Sequence, residues 1–130
     1  ETMIDLPKLD SESFIDFDNE LKSNIEMMRK LKCFMVLNIK STSKLSENLN
    51  TVIPKIISKS VQLLYSAFGW ETNAIKKLNF SKTEAYKILL DVITTKFPDT
   101  NQKEICSTLS RWFSGAKDRE RGKKKGVLRN

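Results

Sequence analysis

The stretch FPDTNQKEICSTLSRWFSGAKDRERGKKKGVLR, residues 97–129, holds a proline stop, a capped helix with an apolar stripe, and a strongly basic end. From residue 101 onward the chain carries nine Lys and Arg residues against three acidic ones, which is +6 of its net charge of +7. The first 24 residues carry seven acidic residues against two lysines, or −5. A charge that is both large and confined to one end of a chain usually has a partner of opposite sign.

The composition around this stretch favours a helical fold. The 130 residues include four Gly and three Pro, too few for a turn-rich sandwich, and 39% are apolar, enough for one core without disulfides or metals. We predict an all-α fold, a single compact domain of about five helices with a basic C-terminal tail. Residues 1–120 would form the helical domain and residues 121–130 the flexible basic tail. Because the chain does not begin with Met, we expect it to be a piece of a longer protein.

The first half of the chain predicts a strap, two helices and a loop. Residues 1–9 look like an extended strap laid across a core edge. Asp10 or Ser11 starts a helix, and apolar residues at spacings of three or four then run as far as Leu31. The continuous apolar block 33–39 predicts a buried helix after a break near Asn24 or Lys30, although a buried strand remains an alternative. The polar, Ser-rich residues 40–50 predict a long loop.

The second half predicts three more helices. The third would run from Val52 or Pro54 to Phe68, with Gly69 as its C-cap, and residues 70–80 would form a connector. Ser81 and Glu84 fit a capping box that starts the fourth helix, which ends at Pro98. Asp99, Thr100 or Asn101 would cap the last helix, with Asn101 and Glu104 in capping-box register.

The last helix has two unlike sides. Ile105, Leu109, Trp112 and Phe113 form its core side, with Cys106 beside them. The opposite side carries small hydroxyls and cations with no acid between Glu104 and Asp118; its residues are Lys103, Ser107, Ser110, Arg111, Ser114 and Lys117. A helix with donors, little bulk and little negative charge suits the major groove of DNA, and Arg111 is the best candidate for a bidentate guanine contact.

The basic tail has three interpretations. Its cations Arg119, Arg121, Lys123, Lys124 and Lys125 would bind phosphates or lie in a minor groove, contributing affinity rather than specificity. The run RGKKKG is also typical of a nuclear-import signal, or of a disordered basic tail. Lys76 and Lys77 add two exposed cations in the connector before the fourth helix.

The chain lacks the residues that most catalytic sites need. It has no His, no CxxC pair and no Gly-rich phosphate loop, so we expect neither an enzyme nor a cofactor or metal site. Cys33 and Cys106 lie in apolar segments and are predicted to be reduced core thiols. Asp16 and Asp18 are predicted to be solvated carboxylates on a helix. The chain has no apolar run of 18 residues, so we expect a soluble protein with no membrane partner.

Three segments of the second half together resemble BEN domains. They are LLYSAFGWE (63–71), VITTKFPDT (92–100) and EICSTLSRWFSGAKDR (104–119), with a lysine-bearing connector after the first. The N-terminal LPKLDSESFIDFDNELKSN (6–24) is similar to a related domain of unknown function, frequent in invertebrate proteins, that shares the same C-terminal half. The resemblance covers about residues 5 to 120.

The resemblance implies an all-helical fold that binds specific DNA sequences through its last helix, often as a dimer on a palindromic site. Such proteins are nuclear, and they repress transcription or organise chromatin. The positions that match on the last helix are Ser107, Ser110, Arg111, Ser114 and Lys117, and Lys76 and Lys77 match the linker. The linker itself, Thr72 to Lys77, departs from the Gly- and Lys-rich linker of the family, which weakens the case for phosphate contact from this loop.

Two hypotheses for function follow. The first is a DNA-binding module of a nuclear transcription or chromatin regulator, whose partners are double-stranded DNA and either a second copy of the chain or a chromatin protein. The second is a protein-interaction or self-association domain that uses the apolar block 33–39, with the tail serving nuclear import. RNA is a weaker option because no aromatic residues interleave with the lysines.

Overall fold

The computed structural model of the chain describes residues 5–71 and 76–117, and the predicted tail at 121–130 lies outside this part. Five helices of 11 to 14 residues account for most of it: α1 (Ser11–Leu21), α2 (Ile25–Asn38), α3 (Leu45–Ile56), α5 (Glu84–Lys96) and α6 (Gln102–Ser114). One further turn of helix, α4, spans Lys59–Gln62, and a 3₁₀ turn spans Phe80–Lys82. The prediction of an all-α fold with about five helices is confirmed.

The start of the chain folds much as its capping residues predict. The Asp10 carboxylate accepts from the Ser13 amide at 2.8 Å, and the Asn24 side chain accepts from the Met27 amide at 3.0 Å. The break between the first two helices therefore lies at Asn24, one of the two predicted places. The described part of the predicted strap, residues 5–9, is confirmed, since the Lys8 amide donates to Ile56 O at 2.9 Å and the Ser58 amide to Lys8 O at 3.0 Å; residues 1–4 lie outside the described part of the chain.

The apolar block 33–39 is helical as predicted, but it is not buried throughout. Met35 and Ile39 are 1% exposed, whereas Val36 is 39% and Leu37 70% exposed. A helix on the surface of a domain buries one face, so a continuous apolar run must leave some of its residues in solvent. Cys33 also lies on the exposed side, so its prediction as a core thiol is wrong, while Cys106 is half-buried and both thiols are free.

The prediction of a loop at residues 40–50 is wrong, because α3 begins at Leu45. Asn48 holds the turn before it: its Oδ1 accepts from Lys40 N at 2.8 Å, and its Nδ2 donates to Lys40 O at 2.8 Å. The buried side of α3 consists of Leu49, Val52, Ile53 and Ile56. The Ser-rich composition belongs to the exposed side and to the turn.

The predicted helix from residue 52 to Phe68 is also wrong. Pro54 lies inside α3 near its end, and after α4 the chain forms three short strands: β1 (Tyr65–Ser66), β2 (Trp70–Glu71) and β3 (Lys76–Asn79). The strand order is β1-β3-β2, with β1 parallel and β2 antiparallel to β3. Gly69 is not a helix C-cap but sits between β1 and β2 with φ +74°, a conformation that glycine adopts without strain.

The helix α5 begins at a different cap from the predicted one. Its N-cap is Thr83, whose Oγ1 accepts from the Tyr86 amide at 3.0 Å, because the 3₁₀ turn occupies Ser81. The Asp18 carboxylate of α1 accepts hydrogen bonds from the amides of the first two residues of α5, Glu84 and Ala85, at 2.9 Å each. Asp18 is 8% exposed, so its prediction as a solvated carboxylate is wrong.

The helices α2 and α5 run parallel. Lys32 pairs with Asp91 at 2.8 Å, and further along the Lys96 ammonium donates to the carbonyls of Val36 and Ile39 at the end of α2, at 2.5 Å each. A row of aromatic contacts joins α1 to α6: Phe14 to Tyr65 (5.8 Å between ring centroids), Tyr65 to Phe80 (6.2 Å) and Phe80 to Phe113 (5.0 Å). Tyr86 of α5 also packs on Phe80. The position of α6 is therefore set by the same core that holds α1 and α5.

Candidate nucleic-acid interface

The start of α6 is fixed by the turn that the sequence marks with Phe-Pro-Asp. Phe97 ends α5, and the Thr100 amide donates back to Phe97 O at 3.1 Å. Asn101 is then the N-cap, with its Oδ1 accepting from the Glu104 amide at 2.8 Å. Of the three predicted caps, Asn101 is confirmed, and the helix begins where the sequence pattern places it.

The core side of α6 is confirmed residue by residue. Ile105, Leu109, Trp112 and Phe113 are between 2% and 6% exposed. The Trp112 indole N–H donates to Asn50 Oδ1 of α3 at 3.3 Å, while Phe113 packs on Phe80 of the 3₁₀ turn. These contacts hold α6 against α3 on one side and against the 3₁₀ turn on the other.

The opposite side of α6 is open to solvent along its whole length. All six predicted residues of this side are exposed: Lys103, Ser107, Ser110, Arg111, Ser114 and Lys117. The five that belong to α6 span an arc of roughly 100° around the helix at about 100° per residue, and Lys117 follows the C-cap Gly115. We call these six residues the α6 face. Arg111 lies in the last turn of α6.

Two hydroxyls of the α6 face make long hydrogen bonds to carbonyls of their own helix. Ser107 Oγ donates to Glu104 O and Ser114 Oγ to Arg111 O, both at 3.2 Å, which are bonds within the same helix. Hydroxyls bonded in this way keep their oxygen lone pairs free and can rotate toward a new acceptor. The serines therefore leave a low surface over which a ligand can approach the helix backbone.

The cations of the α6 face have no acidic partner within residues 5–71 and 76–117. Lys103, Arg111 and Lys117 form no ion pair there, whereas Lys32 and Lys87 pair with Asp91 and Glu84. Glu104 lies at one edge of the face, in the first turn, where the helix dipole favours a negative charge. Three unpaired cations beside exposed hydroxyls form a surface suited to an anion of extended shape.

The other cations predicted to bind DNA are either bonded within the fold or have side chains outside the described part of the chain. Lys77 lies on β3, half-buried, and its ammonium donates to Leu63 O at 2.5 Å, so part of its hydrogen-bonding capacity is used within the fold. Lys76 begins β3, and its side chain lies outside what the structure describes. The tail cations Arg119, Arg121, Lys123, Lys124 and Lys125 lie outside the described residues as well.

One cation near α6 escaped the sequence-based prediction. Lys82 is exposed at the end of the 3₁₀ turn, two residues after Phe80, which packs directly on α6. In the sequence it stands inside the pattern Ser81–Glu84, which predicts a helix cap and hides the lysine between its two members. A lysine one position after a predicted cap has no sequence pattern that would mark it as a binding residue.

Two open clefts lie elsewhere on the described part of the surface, each of about 330 Å³. One lies between α2 and α5 over Ile25, Met28 and Ile88, and the other beside α1 among Asp16, Glu20 and their neighbours. Within the described ranges, no three His, Cys, Asp or Glu residues are grouped so as to hold a metal ion. None of the helices described is both long and apolar enough to cross a membrane.

Comparison with known proteins assigns no role to the α6 face. The similarity to BEN domains noted in the sequence stays a prediction, as does every role that it implies for the α6 face. The chain matches no protein-family model, no curated protein and no solved structure.

Proposed function

We propose that the chain is a DNA-binding module of a nuclear transcription or chromatin regulator, and that α6 enters the major groove. The observation that carries the proposal is the α6 face: five exposed residues on one side of a helix and Lys117 just beyond its end, three of the six being cations without an ion pair in the described part of the chain. The nuclear setting rests on the basic run in the tail and on the resemblance to BEN domains.

The size and shape of α6 suit the groove. Its 13 residues make a rod of about 20 Å, and the major groove, about 12 Å wide, admits one helix. Ser107, Ser110 and Ser114 keep the centre of the face low, so that base edges can approach it closely. Arg111 carries the planar, five-donor guanidinium that fits guanine O6 and N7.

The cations divide into two roles under this proposal. Arg111 reads a base, and Lys103 and Lys117, near the two ends of the helix, bind phosphates. The two lysines alone would give log K a slope of about −1.8 against log salt concentration, and tail cations would make it steeper. Affinity would therefore fall steeply with salt while sequence preference would depend on Arg111.

The test is a titration of labelled duplex DNA by fluorescence anisotropy at several salt concentrations, after selection of a preferred site from random duplexes. We expect Arg111→Gln to weaken binding to the selected site about 10- to 100-fold and to relax the preference at one base pair. Lys32→Gln is the matched control, because it removes one positive charge from α2, away from the α6 face. Absence of binding at low salt, or equal effects of the two variants, would refute the proposal.

A second candidate function is protein association, and exposed apolar side chains favour it. Leu37 is 70% and Val36 39% exposed on α2, and Leu64 and Leu78 beside the small sheet are 46% and 44% exposed. Such side chains would suit a second copy of the chain or a chromatin protein, and a dimer would present two α6 faces to two half-sites. Analytical ultracentrifugation tests the self-association: a monomer at high micromolar concentration, unchanged in Leu37→Ser, would count against it.

A further inference from the structure

The two edges of the α6 face have different neighbours. At about 100° per residue, Cys106, Ser110 and Phe113 form one row along the helix, and Glu104, Thr108 and Arg111 form the other. Phe113 packs on Phe80 at 5.0 Å between ring centroids, so the first row lies toward the 3₁₀ turn. Trp112, which is nearer the second row, donates its indole N–H to Asn50 of α3.

The surroundings of Tyr86 agree with this orientation. Burial raises the pKa of Tyr86, and the nearby Cys106 thiol raises it further. Tyr86 belongs to the first turn of α5, directly after the 3₁₀ turn, and its ring also lies 6.1 Å from that of Phe80. Phe113 therefore lies against the segment 80–86, with Cys106 on the same side of the helix, and we call this side of α6 the 3₁₀ edge.

The two edges also differ in charge. The segment 80–86 on this edge carries Lys82, which is exposed and has no partner within residues 5–71 and 76–117, and Lys117 is exposed just beyond the end of α6. On the other edge α6 contributes Glu104, and α3 exposes Glu47 one turn before Asn50. On the 3₁₀ side Glu84 is paired with Lys87, so Lys82 and Lys117 keep their charge free, whereas on the other side Arg111 shares the surface with two acids that repel phosphate.

We propose that Lys82 binds a DNA phosphate, and that one strand of the duplex therefore runs along the 3₁₀ edge while α6 lies in the groove. The inference rests on the function proposed above and adds to it a contact and a direction of approach. A helix in the major groove has a phosphate backbone on each side, and a row of cations on one side draws that backbone closer. Lys82 and Lys117 supply such a row, and the core contact between Phe80 and Phe113 fixes the distance between their segments.

The expected signature is that of a phosphate contact. Lys82→Gln should reduce the slope of log K against log salt by about 0.9 and weaken binding up to about tenfold at 100 mM salt, with no change in base preference. Lys82→Arg should keep the slope of the parent chain. Because Lys82 is exposed and makes no described contact, the midpoint of thermal unfolding should stay the same in both variants.

The experiment measures salt-dependent anisotropy for the parent chain, Lys82→Gln, Lys82→Arg and the control Lys32→Gln, on the selected duplex and on a scrambled one. A second readout uses an amine-acylating reagent with mass spectrometry: duplex DNA should protect Lys82 from acylation and leave Lys32 reactive. A reduced slope in Lys82→Gln alone, with protection of Lys82, supports the inference.

The outcomes separate this inference from the function on which it rests. A parent chain that binds no duplex at low salt overturns the proposed function, and the Lys82 contact with it. A parent chain that binds and loses affinity in Arg111→Gln, with the slope unchanged in Lys82→Gln and Lys82 still reactive, overturns the Lys82 contact and leaves the function standing. A loss of base preference in Lys82→Gln equally overturns it, because a phosphate contact carries no sequence information.

Discussion

Removal of the Asp18 carboxylate should destabilise the fold at the junction between α1 and α5. In the structure both carboxylate oxygens are used, one by the Glu84 amide and the other by the Ala85 amide, at 2.9 Å each. Asp18→Ala would leave two amides of the first turn of α5 without an acceptor in a place that water reaches poorly. The variant therefore tests whether an acid in the first third of the chain organises the start of the penultimate helix.

The cost can be estimated from the two bonds. An orphaned buried amide costs about 1–3 kcal/mol, and loss of a buried carboxylate returns part of that because the charge no longer has to be desolvated. A net loss of about 2–4 kcal/mol in the free energy of unfolding follows for Asp18→Ala. For a chain of 130 residues this corresponds to a fall of roughly 6–15 °C in the midpoint of thermal unfolding.

The pH dependence gives a second, independent signature. Burial raises the pKa of Asp18, and the amides of Glu84 and Ala85 partly offset this effect. Because the folded state then holds the proton more tightly than the unfolded chain, the contribution of Asp18 to stability is largest below the unfolded pKa of about 3.9. It decreases as pH rises from there through the raised folded pKa, and it is constant above that.

Urea unfolding followed by circular dichroism, repeated across the weakly acidic range, measures both signatures. Asp18→Asn serves as the comparison, because it keeps one acceptor oxygen and has no charge to titrate: it should lose less stability than Asp18→Ala and should lack the falling contribution. Asp16→Ala is the control, since Asp16 is exposed on the same helix. An Asp18→Ala chain within 0.5 kcal/mol of the parent would refute the reasoning.

Three further variants test other parts of the structure. Gly69→Ala should cost about 2 kcal/mol, because the residue has φ +74° and its Cβ would lie 2.9 Å from Asn79 Cβ; urea unfolding within 0.5 kcal/mol of the parent would contradict this. Asn48→Ala should cost about 2–3 kcal/mol, because it removes the bonds to both backbone groups of Lys40, and faster amide exchange in residues 40–48 would locate the loss. Glu104→Gln should raise affinity for duplex DNA a few-fold without changing base preference, and an unchanged anisotropy titration would speak against the repulsion assigned to that edge.

The sequence predicts α6 well because all the signals there are local. Pro98 stops the preceding helix, Asn101 supplies a cap three residues before the amide that it binds, and apolar and polar residues separate cleanly by the helical period. Both sides of α6 and the exposure of its six candidate residues follow from spacing alone. Whether those residues bind DNA is a matter of partner chemistry, which spacing does not contain.

The features that the sequence did not predict depend on distant partners or on short elements. Asp18 lies 66 residues from Glu84, so nothing near it in the chain marks it as a cap. The strands have two to four residues, below the length at which alternation is visible. The composition of residues 40–50 predicts a loop because Ser46, Glu47 and Asn50 on the open side of α3 outweigh its first apolar residues, although the apolar spacing from Leu45 to Ile56 is helical.

The structure also separates the charges that the fold uses from those that it does not. Parallel packing of α2 and α5 places two helix N-termini at one end and two C-termini at the other, where their dipoles add. Asp18 lies at the N-terminal end, and the Lys96 ammonium binds the last carbonyls of α2 at the other end. The cations around α6 have no comparable role: Lys82 and Arg111 are exposed and make no ion pair within the described ranges.

Neutralising Lys96 should therefore lower the free energy of unfolding, whereas neutralising Lys82 or Arg111 should leave it unchanged and weaken only the binding of DNA. Unfolding in urea and DNA titration of the same three variants would establish that division, and a loss of stability in Arg111→Gln as large as that in Lys96→Met would show that the α6 cations serve the fold.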